Sequence, residues 1–130
     1  MEHDAVVTAK LPSPLKHSGV CNLGRPSYGN WIEPKTKKPG TYKLFSKAGG
    51  YFPGNHAVLV SPKGAKKIVE YAKTQIGTPD LYLNKCRFPW LSEYYPWPIE
   101  CHDTFTTLQK EGGCVAKHMK GTTTKDYKIL

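Results

Sequence analysis

The sequence contains no long apolar run, no CxxC pair and no internal repeat. A membrane helix needs about 20 apolar residues in succession, so we expect no membrane span. The opening residues, MEHDAVVTAK, carry acids and only a short apolar patch. A signal peptide instead has a basic start and a longer apolar stretch, so we expect a cytoplasmic protein with reduced thiols.

Acidic residues are also scarce: 10 Asp and Glu stand against 19 Lys and Arg, for a formal net charge of +9. A basic protein attracts polyanions, of which nucleic acid is the commonest. The lysines are spread from Lys10 to Lys128, which is also typical of a solvated surface. A nucleotide diphosphate would use positive charge too, so the charge leaves all three interpretations open.

The length of 130 residues predicts one domain with one ordinary core. Apolar residues make up 38% of the chain and aromatic residues 12%, which excludes a wholly disordered protein. We place the domain over residues 1–120 and a basic tail over 121–130.

The cysteines suggest a zinc site that their spacing supports only weakly. Cys101, Cys114 and His118 follow a C-x12-C-x3-H pattern, and Cys86 could supply a fourth ligand. Structural zinc sites usually gather their ligands in tight pairs, which this sequence does not have. Ordinary buried or half-buried side chains are the favoured interpretation.

The clearest local pattern is a strand followed by a helix. Ala57–Val60 is short, apolar and β-branched, and Ser61 then precedes Pro62 as an N-cap precedes the first helical residue. Four apolar residues at helical spacing predict the buried stripe: Ala65, Ile68, Val69 and Ala72. Gly77 is expected to close the helix in the left-handed conformation.

Further short elements complete an α/β pattern with long loops. We expect a second helix from Thr78 to about Lys85, and we expect prolines to exclude helix from the aromatic stretch that follows. Short strands are predicted at four other places: Ala5–Thr8, Gly19–Leu23, Tyr42–Phe45 and Trp97–Cys101.

Four segments, taken in order, resemble glycosyltransferase family 25, which includes lipopolysaccharide-biosynthesis enzymes and collagen galactosyltransferases. One segment, Glu2–Val7, resembles an acidic strand-end motif, and the next, Asn55–Lys67, resembles a strand running into a helix. The third, Thr78–Leu83, resembles a helix start with an acid, and the fourth, Tyr95–Glu100, resembles a short proline-containing strand.

The resemblance implies a partial GT-A-like, Rossmann-related domain with short strands and two main helices. It covers only the C-terminal half of the family's domain, because the acidic motif stands mid-domain in that family and the nucleotide-binding half precedes it. A second chain or self-association would complete the fold. A reduced relative, such as compact viral genomes carry, would instead have lost catalysis and kept a binding role. The implied location is the cytoplasm of a bacterium or of a virus-infected cell.

The resemblance also implies a metal site and a catalytic carboxylate. Glu2 and Asp4 would hold Mn²⁺ or Mg²⁺, which bridges the donor's phosphates, although His3 replaces an acid of the usual motif. Asp80 would act as the base near the acceptor hydroxyl. A frayed, charged N-terminus and a carboxylate at a helix start are the ordinary alternatives.

The remaining implied site residues would contact the substrate. Asn55 and His56 correspond to family residues near the sugar, and Trp31 could stack on a sugar face. His102 and Asp103 could make a late contact to metal or phosphate. Structural roles are the ordinary alternative for each of these side chains.

The function that follows is transfer of a sugar from a nucleotide-sugar donor to a hydroxyl acceptor, by a chain that is truncated or inactive if its other half is missing. The alternative is a non-catalytic basic binding protein, viral or accessory, that docks on a protein or a nucleic acid.

Overall fold

The computed structural model describes residues 1–2, 5–11, 13–17, 19–26, 34–36, 38–45, 55–77 and 79–101. In these ranges the fold is mixed α/β, with two sheets and two helices, as the sequence predicts at that level. The predicted zinc ligands Cys114 and His118 and the predicted tail lie outside the described residues. The elements are β1 (Ala5–Val7), β2 (Val20–Asn22), β3 (Gly40–Lys43), β4 (Val58–Val60), α1 (Pro62–Ala72), α2 (Pro79–Tyr82), β5 (Ser92–Tyr95) and β6 (Ile99–Cys101).

The larger sheet has four strands in the order β3-β5-β2-β4. Strand β2 runs parallel to β5 and antiparallel to β4, while β3 runs antiparallel to β5. The start of β2, the start of β5 and the end of β3 therefore meet at one end of the sheet. The end of β2 and the start of β4 meet at the opposite end.

A two-stranded ribbon lies beside this sheet. Strand β1 pairs antiparallel with β6, so that Val6 faces Glu100. The ribbon joins the larger sheet just after β2, where Gly24 bridges to Ile99 and the Arg25 N–H donates to the Ile99 carbonyl over 2.7 Å. Arg25 also forms an ion pair with Glu100 at 3.1 Å.

Helix α1 begins as its sequence predicts. The Ser61 hydroxyl accepts a hydrogen bond from the Gly64 N–H at 3.1 Å, and Pro62 occupies the first turn. Serine at this position satisfies one of the amide donors that a helix start leaves unpaired.

The buried face and the end of α1 differ from prediction. Ala65, Val69 and Ala72 are exposed, and the face toward the core carries Gly64, Ile68 and Tyr71. The helix lies so close to the backbone at Gly19 that only glycine fits at position 64, which rotates the contact face away from the apolar stripe. The C-cap is Lys73 in the right-handed conformation, so Gly77 does not close the helix.

The core consists of two clusters on opposite faces of the larger sheet, because successive residues of β2 point to opposite sides. The helix-side core is Val20, Leu44, Tyr82, Leu83, Phe88 and Leu91, covered by Ile68 and Tyr71 of α1. The ribbon-side core is Cys21, Leu23, Ala57 and Ile99, covered by Ala5 of β1.

Two further elements differ from the sequence expectation. The second helix ends at Tyr82 rather than near Lys85, and Ser92–Tyr95 forms a strand inside the proline-punctuated stretch. In the part of the chain that the structure describes, no helix has both the length and the apolar character that a membrane crossing requires.

Candidate functional site

The N-terminal acidic segment meets the segment before β4. The Glu2 backbone N–H donates to the His56 carbonyl over 2.7 Å, and the Ala5 N–H donates back to the Glu2 carbonyl over 3.3 Å. The first bond joins the chain entering β1 to the chain entering β4, and the second lies within the chain entering β1. Two segments singled out separately in the sequence are therefore neighbours in space.

His56 is buried at this contact and packs against the backbone after β2. A Cβ on Gly24 would overlap the His56 Nε2 and lie 2.8 Å from the His56 Cδ2, so the imidazole fits only because residue 24 is glycine. Asn22 fixes this turn, since its side chain accepts from the Gly24 N–H at 3.1 Å and donates to the Gly24 carbonyl at 2.9 Å. We call Glu2, Gly24, Asn55 and His56 the Glu2–His56 junction.

Asn55 brings an unused acceptor to the junction. Its Oδ1 is buried and has no hydrogen-bond partner in the described part of the chain. A buried amide oxygen without a partner loses the hydrogen bonds that water would give it. A ligand hydroxyl or amide placed here would restore one.

Of the remaining predicted site residues, the structure describes the backbone of Asp80 alone, and it lies away from the junction. Asp80 belongs to α2, whose Tyr82 packs in the helix-side core, whereas β1 packs in the ribbon-side core. The sheet therefore separates α2 from the chain entering β1. Four predicted site residues lie outside the described residues: Asp4, Trp31, His102 and Asp103.

The expected metal site has one described ligand, the exposed residue Glu2. Within the described ranges, no three His, Cys, Asp or Glu side chains gather closely enough to hold an ion. A carboxylate suits Mn²⁺ or Mg²⁺, so the chemistry of Glu2 fits the expected group.

Of the described cysteines, Cys21 is buried, and burial raises the pKa of its thiol to about 11.

A buried carboxylate that the sequence analysis did not single out lies in β5. Glu93 is 2% exposed and accepts a hydrogen bond from the Trp97 Nε1–H at 2.8 Å and another from the Phe45 N–H. The rings of Tyr95 and Trp97 are perpendicular, with centroids 4.8 Å apart. Burial raises the pKa of Glu93, and the two hydrogen bonds and Lys85 oppose that rise. Both carboxylate oxygens are used, so Glu93 fastens β5 to the chain after β3 and before β6.

The raised pKa of Glu93 predicts a pH dependence of stability. The folded chain holds this proton more tightly than the unfolded chain, where the carboxyl titrates near 4.5. The stabilisation from this group is complete below the unfolded-state pKa. It is lost as the pH rises through the higher pKa that Glu93 has in the folded protein. Wild type should therefore gain stability relative to Glu93→Gln as the pH falls through the raised folded pKa toward 4.5, by at most about 1.4 kcal/mol per pH unit.

Urea unfolding of both proteins at a series of pH values measures this difference. The amide introduced by the substitution cannot titrate, although it leaves one of the two donors without an acceptor at every pH. Other titrating groups cancel in the comparison. Stability curves that stay parallel across the pH range would show that Glu93 has an ordinary pKa in the folded protein.

Comparison of the chain with protein-family models, with curated proteins and with solved structures finds no match.

Proposed function

We propose that this chain is the C-terminal, acidic-motif half of a GT-A-like glycosyltransferase, which helps to transfer a sugar from a nucleotide-sugar donor to a hydroxyl acceptor. The observation that carries the proposal is the hydrogen bond from the Glu2 N–H to the His56 carbonyl. Both segments resemble donor-site segments of glycosyltransferase family 25, and they meet although they lie far apart in the sequence.

In this proposal the junction contributes part of the donor site. Glu2 and Asp4 would hold a divalent metal, whose charge stabilises the leaving nucleotide diphosphate. The Asn55 Oδ1 would accept a hydrogen bond from a sugar hydroxyl, since it is buried without a partner in the described part of the chain. His56, packed against Gly24, holds the neighbouring backbone in position.

The proposal gives Asp80 no part in donor binding, because α2 and β1 pack on opposite faces of the larger sheet. Among the described residues β1 pairs with no strand other than β6, so we propose its outer edge as the place where a further chain would complete the domain. That chain would be either a separate polypeptide carrying the nucleotide-binding half or a second copy of this one.

Titration calorimetry with UDP-sugars in the presence of Mn²⁺ tests the proposal. We expect Asp4→Asn to abolish metal-dependent donor binding, because a carboxamide is a much weaker ligand for a hard divalent cation than a carboxylate. Asp80→Asn is the matched control. It makes the same chemical change and should leave donor affinity within about twofold, a free-energy change of well under about 1 kcal/mol.

Two results would contradict the proposal. One is the absence of heat with any common UDP-sugar in a sample that unfolds cooperatively. The other is an equal loss of binding in both variants, since that would put Asp80 at the donor site or make the effect one of net charge. Salt-sensitive binding of RNA or DNA without donor binding would favour the alternative, a non-catalytic basic binding protein.

A further inference from the structure

A second candidate site lies at the other end of the larger sheet from the Glu2–His56 junction. The start of β2, the start of β5 and the end of β3 meet there around a cleft of about 380 Å³. We call it the basic cleft and define it by Lys16, His17, Tyr42, Lys43, Trp90 and Leu91. The junction lies where β2 ends and β4 begins, so the length of β2 separates the two sites.

The charged residues in the described lining of the basic cleft are all positive. Lys16 and Lys43 are exposed, neither forms an ion pair with any described residue, and no Asp or Glu is among the lining residues. A third lysine lies nearby, with the Lys67 Nζ 5.3 Å from the centroid of the Trp90 ring. Uncompensated ammonium groups around a concave surface favour an anionic ligand.

His17 adds an unused polar atom to these charges. Its Nδ1 is buried and has no hydrogen-bond partner among the described residues. An imidazole nitrogen buried in this way requires a partner, because a polar group that loses water without replacement is costly. His17 lines the basic cleft, so a ligand oxygen that reaches its Nδ1 would supply that partner.

The rest of the described lining is mostly apolar and partly aromatic, with Thr41 and Ser92 as its polar members. Tyr42 stands on β3, while Trp90 and Leu91 lead into β5, so the cleft offers ring and aliphatic surface beside the lysines. Inorganic phosphate would leave this surface uncovered. A ligand with an anionic head and a flat body would use both parts, as nucleotides do on basic surfaces that carry aromatic side chains. The volume lies at the lower end of the range for small-molecule sites, about 300–1,000 Å³, and suits a single nucleotide.

We propose that the basic cleft binds one nucleotide unit, with its phosphate between Lys16, Lys43 and His17 and its base against the apolar lining. The chemistry is the same whether the unit is a free mononucleotide or part of a single-stranded nucleic acid. The proposal stands apart from the donor site, since it requires neither Glu2 nor a metal ion.

The test is calorimetric titration of the full chain with UMP in the presence of EDTA, which removes metal-dependent donor binding. Uridine, inorganic phosphate and single-stranded oligo(dT) are titrated in parallel. We expect UMP to bind at least tenfold more tightly than uridine or phosphate, because only UMP carries both a phosphate and a base. Oligo(dT) binding more tightly than UMP, and weakening steeply with salt, would identify nucleic acid as the source, while UMP alone would identify the free nucleotide.

Two double substitutions distinguish an effect of the cleft lysines on UMP affinity from an effect of net charge. The double substitution Lys16→Gln and Lys43→Gln should lower UMP affinity at least tenfold. The double substitution Lys63→Gln and Lys66→Gln removes the same charge from the exposed surface of α1 and should leave the affinity unchanged. His17→Phe, which fills the position without a ring nitrogen, should also weaken UMP binding.

Thermal unfolding of each variant establishes that it is folded before its affinity is compared. The proposal is overturned by the absence of UMP binding in the folded wild type or by equal losses in the two lysine doubles. It is also overturned if phosphate or uridine binds as tightly as UMP.

Discussion

Replacing Phe88 by alanine is expected to destabilise the protein by about 3–5 kcal/mol, the usual cost of removing a buried aromatic side chain. Phe88 is 3% exposed and lies at the centre of a group of rings. Its centroid is 5.2 Å from that of Tyr71, 5.6 Å from that of Tyr82 and 5.4 Å from that of Trp90. These rings come from α1, α2 and the chain entering β5, so the cavity would open where all three pack together.

Urea unfolding measures the loss, and Ile76→Ala provides the control. Ile76 is 96% exposed, so its truncation should change stability by no more than about 0.5 kcal/mol. A small domain has only about 5–15 kcal/mol in total, so Phe88→Ala should lower the unfolding midpoint visibly. Equal midpoints for the two variants would show that the helix-side core is not organised around Phe88.

Substituting Gly64 by alanine should cost about 2–3 kcal/mol, even though alanine is the better helix former by about 1 kcal/mol. An added Cβ would overlap the Gly19 carbonyl oxygen and lie 2.6 Å from the Gly19 carbonyl carbon and 2.9 Å from the Gly19 Cα. These are backbone atoms, so no side chain can rotate away to make room. Either α1 moves off the sheet or the chain entering β2 shifts.

Gly77→Ala is the matched control for this substitution. At position 77 the nearest atom to an added Cβ is the Tyr82 Cδ2 at 3.6 Å, which is an ordinary contact. The control should therefore match wild type or slightly exceed it, since alanine restricts the unfolded chain. Differential scanning calorimetry of both variants gives the comparison. An unaltered melting temperature for Gly64→Ala would mean that α1 does not pack on Gly19.

Local chemistry made β4 and the start of α1 predictable from the sequence. The apolar run before Ser61 and the adjacent proline act within a few residues, so no distant part of the chain is needed to interpret them. The short strands β1, β2 and β6 were also indicated by their apolar or alternating residues. Strand β3 was expected a little later, near Tyr42–Phe45, than its observed span of Gly40–Lys43.

Long-range packing decided what could not be predicted. Strand β5 has the sequence SEYY, between prolines, and it forms because β2 and β3 pair with it from both sides. The contact face of α1 follows the smallest residue, Gly64, rather than the most apolar ones, because backbone atoms of the sheet lie against it. A sequence pattern does not show which strand will pair with a segment or how much space lies beside a helix.

The same distinction between local patterns and long-range packing applies to the candidate sites. The resemblance identified Glu2, Asn55 and His56 separately, and their proximity depends on how β1 and β4 are placed. The basic cleft and Glu93 had no sequence signal of their own. The lysines of the cleft are two among many, and a lone glutamate in a polar tetrapeptide gives no sign that it is buried.

The pairing of β2 with β5 also bears on how the protein is synthesised. The Ser92 hydroxyl donates to the Val20 carbonyl across 72 residues of chain, so β2 leaves the ribosome long before its parallel partner exists. At about 5–20 residues per second, that interval lasts several seconds. During it Val20 and Cys21, which the finished protein buries completely, have no strand on one side. The nascent chain therefore carries β2 with an unpaired edge until β5 emerges and pairs with it.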